Sequence, residues 1–179
     1  MSEEYKLGGM IFSQNDIEKR ATEIGSQISN DYQGKKVVLI GILKGAVVWM
    51  SQVMKSIENV DISIEFMAVS SYGASTQSSG IVKINKDIDS DISDRHVIII
   101  EDIVDTGITL DYLSSYIMGK NPASVKICTL LDKPAGRQIP IHVDYVGFEI
   151  DDYFVVGYGL DLNQEYRNLP YIAFMEKVE

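Results

Sequence analysis

Cysteine, proline and positive charge are all scarce in this 179-residue chain. Its single cysteine, Cys128, excludes an intrachain disulfide. Cys128 lies in the apolar run Val125-Lys126-Ile127-Cys128-Thr129-Leu130-Leu131, which marks a buried strand residue rather than a nucleophile and suits a reducing cytoplasm. With only four prolines and no long Ser/Gly or charged tract, nothing marks an interdomain linker, and no internal repeat is visible. At 45% hydrophobic content, this length suits one domain with its own core. Sixteen Lys and Arg face 26 Asp and Glu, a net charge of −10. Such a chain repels nucleic acid and anionic lipid on average, so neither is expected as a partner. A phosphorylated substrate would need local groups or a cation to overcome that field. No apolar stretch approaches the ~20 residues of a membrane helix, and Met1-Ser2-Glu3-Glu4 lacks the basic start and apolar run of a signal peptide. The expected location is cytoplasmic.

What is present alternates. Ile17, Ala21, Ile24 and Ile28 mark one helical face behind Ser13, an N-cap three residues before Asp16. Val37-Val38-Leu39-Ile40 reads as a strand buried on both faces, followed by a turn over Gly41-Ile42-Leu43-Lys44-Gly45. Ala46 to Ile57 reads as a helix with Val47, Met50, Val53, Met54 and Ile57 inward. Ile62 to Val69 suits a strand, and the small, polar residues of 70–80 suit a mobile loop. Val97 to Ile100 is the clearest buried strand; helical spacing resumes through Ile108, Leu110, Leu113, Ile117 and Met118, and Val125 to Leu131 is a further strand. From about Ile141 the chain reads as short strands and loops. The pattern predicts an α/β domain with a mostly parallel sheet and a smaller β-rich lobe. In such sheets ligands bind beyond the carboxyl ends of the strands, where loops leave at Lys44, Glu101 and Lys133.

The most informative segment is Glu101-Asp102-Ile103-Val104-Asp105-Thr106-Gly107-Ile108-Thr109. Three carboxylates crowd a loop at the ligand end of the sheet, and like charges that close repel unless something offsets them. Thr106, Gly107 and Thr109 then open a helix, whose N-terminal N–H groups suit an anion. An acidic capping loop with solvated carboxylates is the plain alternative. The combination instead suits a phosphorylated sugar held with Mg²⁺: Thr106, Gly107 and Thr109 on phosphate, Glu101 and Asp102 on sugar hydroxyls or metal-bound water, and Asp105 toward the reacting centre.

Val97 to Thr109 resembles the phosphoribosyl pyrophosphate-binding signature of type I phosphoribosyltransferases, and the chain from about Leu7 to Phe174 resembles the hypoxanthine-guanine phosphoribosyltransferase family. The resemblance implies a parallel-sheet core (about 13–140), a hood from the chain ends (about 1–12 and 141–179) and a mobile flap (about 70–80) containing Ser71 and Tyr72. It implies that Leu43-Lys44-Gly45 binds pyrophosphate through a cis peptide between Leu43 and Lys44, and that Arg167 clamps the same group. Lys133 would contact the purine 6-oxo group, Phe154 would stack on the base, and the Val155 backbone would bond its edge. Asp161 would lie near a second metal ion, beside Glu101 and Asp102 as the metal-associated carboxylates. Ile108 stands where some members carry lysine, leaving its backbone for the phosphate, and Leu162 where tyrosine is common.

The implied reaction moves a phosphoribosyl group onto a 6-oxopurine in purine salvage, with Mg²⁺ as cofactor and Asp105 as general base. A homodimer or homotetramer is implied with it. Two rival readings are a xanthine or other phosphoribosyltransferase, and a non-catalytic, nucleic-acid-binding sensor of phosphoribosyl pyrophosphate. The latter would want a basic face that the net charge does not offer.

Overall fold

A computed structural model describes residues 5–71 and 82–178. Most of the loop expected over 70–80, Tyr72 included, lies outside the described residues. The elements run β1 (Tyr5–Phe12), α1 (Gln14–Asp31), β2 (Lys36–Leu43), α2 (Ala46–Met54), β3 (Asp61–Ser71), β4 (Val82–Lys86), β5 (His96–Val104), α3 (Ile108–Met118), β6 (Ser124–Asp132), a 3-10 turn (Pro134–Gly136), β7 (Tyr145–Glu149), β8 (Val155–Val156) and β9 (Ile172–Lys177). Six strands form one sheet in the order β4-β3-β2-β5-β6-β7. All its pairings are parallel except β4 on β3. A separate antiparallel sheet has the order β1-β9-β8. This is the expected α/β architecture.

Alternation across the pleat explains why the central strands are apolar without a break. Val37, Leu39, Ile98, Ile100, Cys128 and Leu130 face a core shared with α1 and α2. Val38, Ile40, Val97, Ile99 and Ile127 face the opposite core, which α3 covers with Leu110, Leu113 and Ile117. The α1 face is fully buried at Ile17, Ala21, Ile24 and Ile28. Its start is fixed by a capping box: the Asp16 N–H donates to Ser13 Oγ, and the Ser13 N–H donates to Asp16 Oδ2. Burial pushes the Cys128 thiol up to about 12, so it stays protonated, as a strand residue in the core should.

Several boundaries differ from expectation, and ladder pairing is the common cause. β2 continues to Leu43 because β3 offers partners through Ala68, so the expected turn shrinks to Lys44-Gly45. β5 continues to Val104 because β6 pairs with Glu101, Ile103 and Val104. Glu101 and Asp102 therefore stand on the end of a strand, not in the loop after it. α2 stops at Met54, and Val47 is 42% exposed while Trp49 takes the buried position. Met118 likewise points outward. β4 alternates over only four residues, Val82-Lys83-Ile84-Asn85, and is held as an edge strand by β3. β7 lies within the stretch expected for the smaller lobe, yet it pairs parallel with β6 in the main sheet. Among the described residues, no helix is long and apolar enough to cross a membrane.

Trp49 is the largest fully buried side chain, inside the core between α1, α2 and the sheet. Trp49→Ala should lower the free energy of unfolding by about 3–5 kcal/mol, measured by urea denaturation.

Candidate functional site

The carboxyl ends of β2, β5, β6 and β7 point the same way, and the candidate residues gather there. A cavity of about 230 Å³ opens over the end of β5, lined by Glu101, Ile103, Val104, Asp105, Thr106, Gly107, Thr109 and Leu110. Gly107 is the N-cap of α3 and supplies no side-chain cap; the Ile108 N–H donates weakly to Thr106 Oγ1 (3.4 Å), and the helix N-terminus forms one wall of this space. The loop is braced from behind. The Thr106 carbonyl accepts the N–H groups of Gln138 (2.9 Å) and Ile139 (3.1 Å). Arg137 Nη1 donates to the Asp105 carbonyl (3.0 Å), and the same guanidinium pairs with Asp132. Gly136 packs against Asp105: a Cβ there would stand 1.8 Å from Asp105 Oδ1.

Glu101 and Asp102 are half-buried neighbours without an ion pair among the described residues. Burial, reinforced by the charge of Asp102, pushes the Glu101 carboxyl well above the usual carboxylate range. Burial also raises Asp102, against the opposing pull of its hydrogen bonds and of Arg167. The Ile103 N–H donates to Asp102 Oδ1 (2.8 Å), which fixes that carboxylate over the β2 turn. Only glycine fits beneath it, since a Cβ on Gly45 would lie 1.5 Å from Asp102 Oδ2. The Leu43–Lys44 peptide of that turn is cis.

A second cavity, of about 260 Å³, adjoins the first and shares Ile103 and Asp105 with it. Its other lining residues are Asp102, Lys133, Tyr153, Phe154, Val155, Leu160 and Asp161. Lys133 is buried, with Nζ 2.7 Å from Asp152 and 3.6 Å from Asp105. Its backbone N–H donates to the Val104 carbonyl (2.9 Å), tying it to the end of β5. Phe154 is 46% exposed, so it is a cavity wall and not a core residue. Tyr5 of β1 packs against its ring at 5.5 Å between centroids. Val155 is buried and belongs to β8, which pairs with β9.

A third group lies beside these two cavities. Arg167 pairs with Asp161 (2.7 Å) and donates to the Gly159 carbonyl (2.6 Å). Gln164 Oε1 accepts from Lys44 Nζ (3.0 Å) and from Arg167 Nη2 (3.4 Å), bridging the two cations. The Gln164 N–H donates to Asp161 Oδ2 (2.8 Å). Gln164 itself sits at φ 72, an uncommon conformation for a residue with a side chain. Arg167 Nε is buried without a hydrogen-bond partner.

Thus Lys44, Gly45, Glu101, Asp102, Asp105, Thr106, Gly107, Ile108, Thr109, Lys133, Phe154, Val155, Asp161 and Arg167 all stand at one end of the sheet. Ser71 closes β3, and Tyr72 lies outside the described residues. Sequence reasoning missed Gln164, Asp152, Tyr153 and Arg137. The first three are polar or aromatic residues in an irregular tail, where no periodicity marks them. For Arg137, a cation three residues after Pro134 was the available signal.

Among the described residues, no three His, Cys, Asp or Glu side chains come together as a metal-binding group. The donors present still suit Mg²⁺, which takes one or two carboxylates and completes its shell with water and substrate phosphate. Glu101 and Asp102 supply hard oxygen donors with no cation paired to them, and a bound metal ion would favour their ionised form. Asp161 stands on the second cavity beside Asp102.

A carboxyl raised by folding contributes stability below the usual carboxylate range and loses it as pH climbs through the raised value. Wild-type stability in chelator should therefore fall as pH rises above the usual carboxylate value of about 4. Glu101→Gln should flatten that fall and raise the melting temperature at neutral pH, read by thermal unfolding across the range.

The Phosphoribosyl transferase domain family matches residues 8–163. A hypoxanthine-guanine phosphoribosyltransferase from Streptococcus thermophilus is 48% identical over 168 residues, covering 94% of this chain and 93% of that one. One from Bacillus subtilis is 47% identical over 167 residues, covering 93% and 92%. The crystal structure of a hypoxanthine phosphoribosyltransferase from Staphylococcus aureus superposes with a TM-score of 0.92 at 46% identity, covering 95% of this chain and 92% of that one. With the family matched over most of its length and relatives this similar across nearly all of it, the chain belongs to the phosphoribosyltransferase family.

Proposed function

We propose that this protein transfers the 5-phosphoribosyl group of 5-phosphoribosyl 1-pyrophosphate to a 6-oxopurine, hypoxanthine or guanine, releasing pyrophosphate and forming IMP or GMP. The observation that carries this reading is the pair of adjoining cavities, one walled by a helix N-terminus and the other by Lys133 and Phe154, with Asp105 on both. A phosphorylated sugar and a planar base could meet only where the cavities join.

Thr106, Gly107, Ile108 and Thr109 hold the 5′-phosphate through hydroxyls and backbone N–H groups. Glu101 and Asp102 orient the ribose hydroxyls. Lys44, Gly45 and Arg167 receive the pyrophosphate; Arg167 uses two faces of its fork and Lys44 a point charge. Glu101, Asp102 and Asp161 are the carboxylates that would hold the shell of Mg²⁺, which when bound would neutralise charge on the leaving pyrophosphate. Phe154 stacks on the base, the Val155 backbone meets its edge, and Lys133 donates to the 6-oxo group. The bond from the ribose anomeric carbon to pyrophosphate oxygen breaks as the carbon bonds to the purine imidazole nitrogen. Asp105 takes that nitrogen's proton. Positive charge on the sugar is stabilised by the carboxylates already in place. Ser71 and Tyr72 enter through the family resemblance alone, as flap residues that exclude water.

Xanthine shares the 6-oxo edge that Lys133 would meet, so it belongs among the bases tried. A cytoplasmic homodimer or homotetramer completes the proposal, and sedimentation checks its subunit number.

Two variants test the roles. Asp105→Ala should lower turnover by about two to four orders of magnitude, the usual worth of a general base, with the dissociation constant of phosphoribosyl pyrophosphate little changed. Unchanged turnover removes Asp105 as the base. Lys133→Met should erase the preference for hypoxanthine and guanine over adenine, measured as ratios of kcat/KM. A retained preference sinks the role of Lys133.

A further inference from the structure

Asp152 has no part in the reaction as described, yet it holds the residue on which base choice rests. Lys133 is 7% exposed, and an ammonium has three donors and no acceptor, so each needs an oxygen once it leaves water. Two carboxylates face it. Asp152 Oδ1 is at hydrogen-bond distance, 2.7 Å, whereas Asp105 Oδ2 is beyond it at 3.6 Å. Lys133 hydrogen-bonds Asp152 and meets Asp105 only through charge. Its two remaining donors are left for acceptors in the cavity.

The backbone makes this division of labour repeatable. The Ile150 N–H donates to the carbonyl of Asp132, the residue before Lys133 (2.9 Å). The Tyr153 N–H donates to the Asp151 carbonyl (2.7 Å), tightening the turn that carries Asp152. The same turn leads into Tyr153, Phe154 and Val155, three walls of the cavity. Lys133 and Asp152 therefore share one anchor. The Asp152 side chain is 76% exposed, which would ordinarily make an ion pair of little consequence. Its partner is buried, however, so the pair is not a surface one. Lys133 also holds the Asp152 carboxyl below its ordinary range.

We propose that Asp152 is a positioning residue for base selection, tethering the Lys133 ammonium at the oxo-accepting edge of the cavity and away from Asp105. This rests on the roles given above to Lys133 and Asp105. Without Asp152, the remaining counter-ion is Asp105, and the ammonium closes on it. That removes the donor from the incoming base and occupies the carboxylate that must accept a proton. Asp152 thus protects two functions through one hydrogen bond.

The test is a double-mutant cycle on the full chain with Mg²⁺, comparing wild type, Asp152→Asn, Lys133→Met and the double variant. Asp152→Asn should lower kcat/KM for hypoxanthine about tenfold or more, the worth of one hydrogen bond to a charged group. Its ratio of hypoxanthine to adenine should fall, while the dissociation constant of phosphoribosyl pyrophosphate and the melting temperature hold. In the Lys133→Met background the same change should have no further effect. An equal loss in both backgrounds, or no loss in wild type, overturns the role of Asp152 while leaving that of Lys133 standing. If Lys133→Met alone changes neither rate nor base preference, the base-pocket reading fails and this proposal fails with it.

Discussion

Glu101 and Asp102 stand side by side at the end of a strand whose preceding four residues are wholly buried, and neither carboxylate forms an ion pair among the described residues. Repulsion between them is the tension around which the site is built. The Ile103 N–H meets one oxygen of Asp102, and the missing side chain of Gly45 makes room for the other. Under the proposed function, a cation and sugar hydroxyls supply what the protein withholds. On that same proposal, a chain with net charge −10 takes a highly charged anion through local attraction from N–H groups, Lys44 and Arg167.

The same economy governs the cations. Lys44 and Arg167 are joined through Gln164, and Arg167 is held by Asp161 and the Gly159 carbonyl. Each positive group at the site has a negative or carbonyl partner that can yield to a phosphate oxygen. Arg167 Nε, buried and unpaired, is the exception that shows where an acceptor is wanted. Preorganisation of this kind spares the reorganisation cost when charge moves during reaction.

Much of this was legible in the sequence where local chemistry and burial agree. The α1 face, the capping box at Ser13 and the apolar runs of β2, β5 and β6 follow from spacing alone. The acidic string at the end of β5 singled out a cavity wall because hydroxyls, glycine and carboxylates there serve no core. What was illegible depended on partners distant along the chain. Glu101 and Asp102 looked like loop residues until β6 supplied a ladder for them. Val47 and Trp49 differ by two positions on α2, and only packing against the sheet decides which turns inward. β7 looked like tail because five residues carry too little signal to choose between two sheets. Asp152 and Gln164 matter through contacts with Lys133 and Lys44, so no window around either one reveals them.

The small sheet joins the two ends of the described chain: β9 pairs with β1 on one side and with β8 on the other. Val155 lies on β8, and the ring of Phe154 beside it rests against Tyr5. During synthesis the loop after β5 and its supporting strands are complete before residues 172–177 have been made. The wall for the base waits on them, since β8 has no other strand to pair with among the described residues. With the roles proposed above, a nascent chain would acquire the sugar-phosphate half of its site first, and its ability to recognise a purine would arrive last.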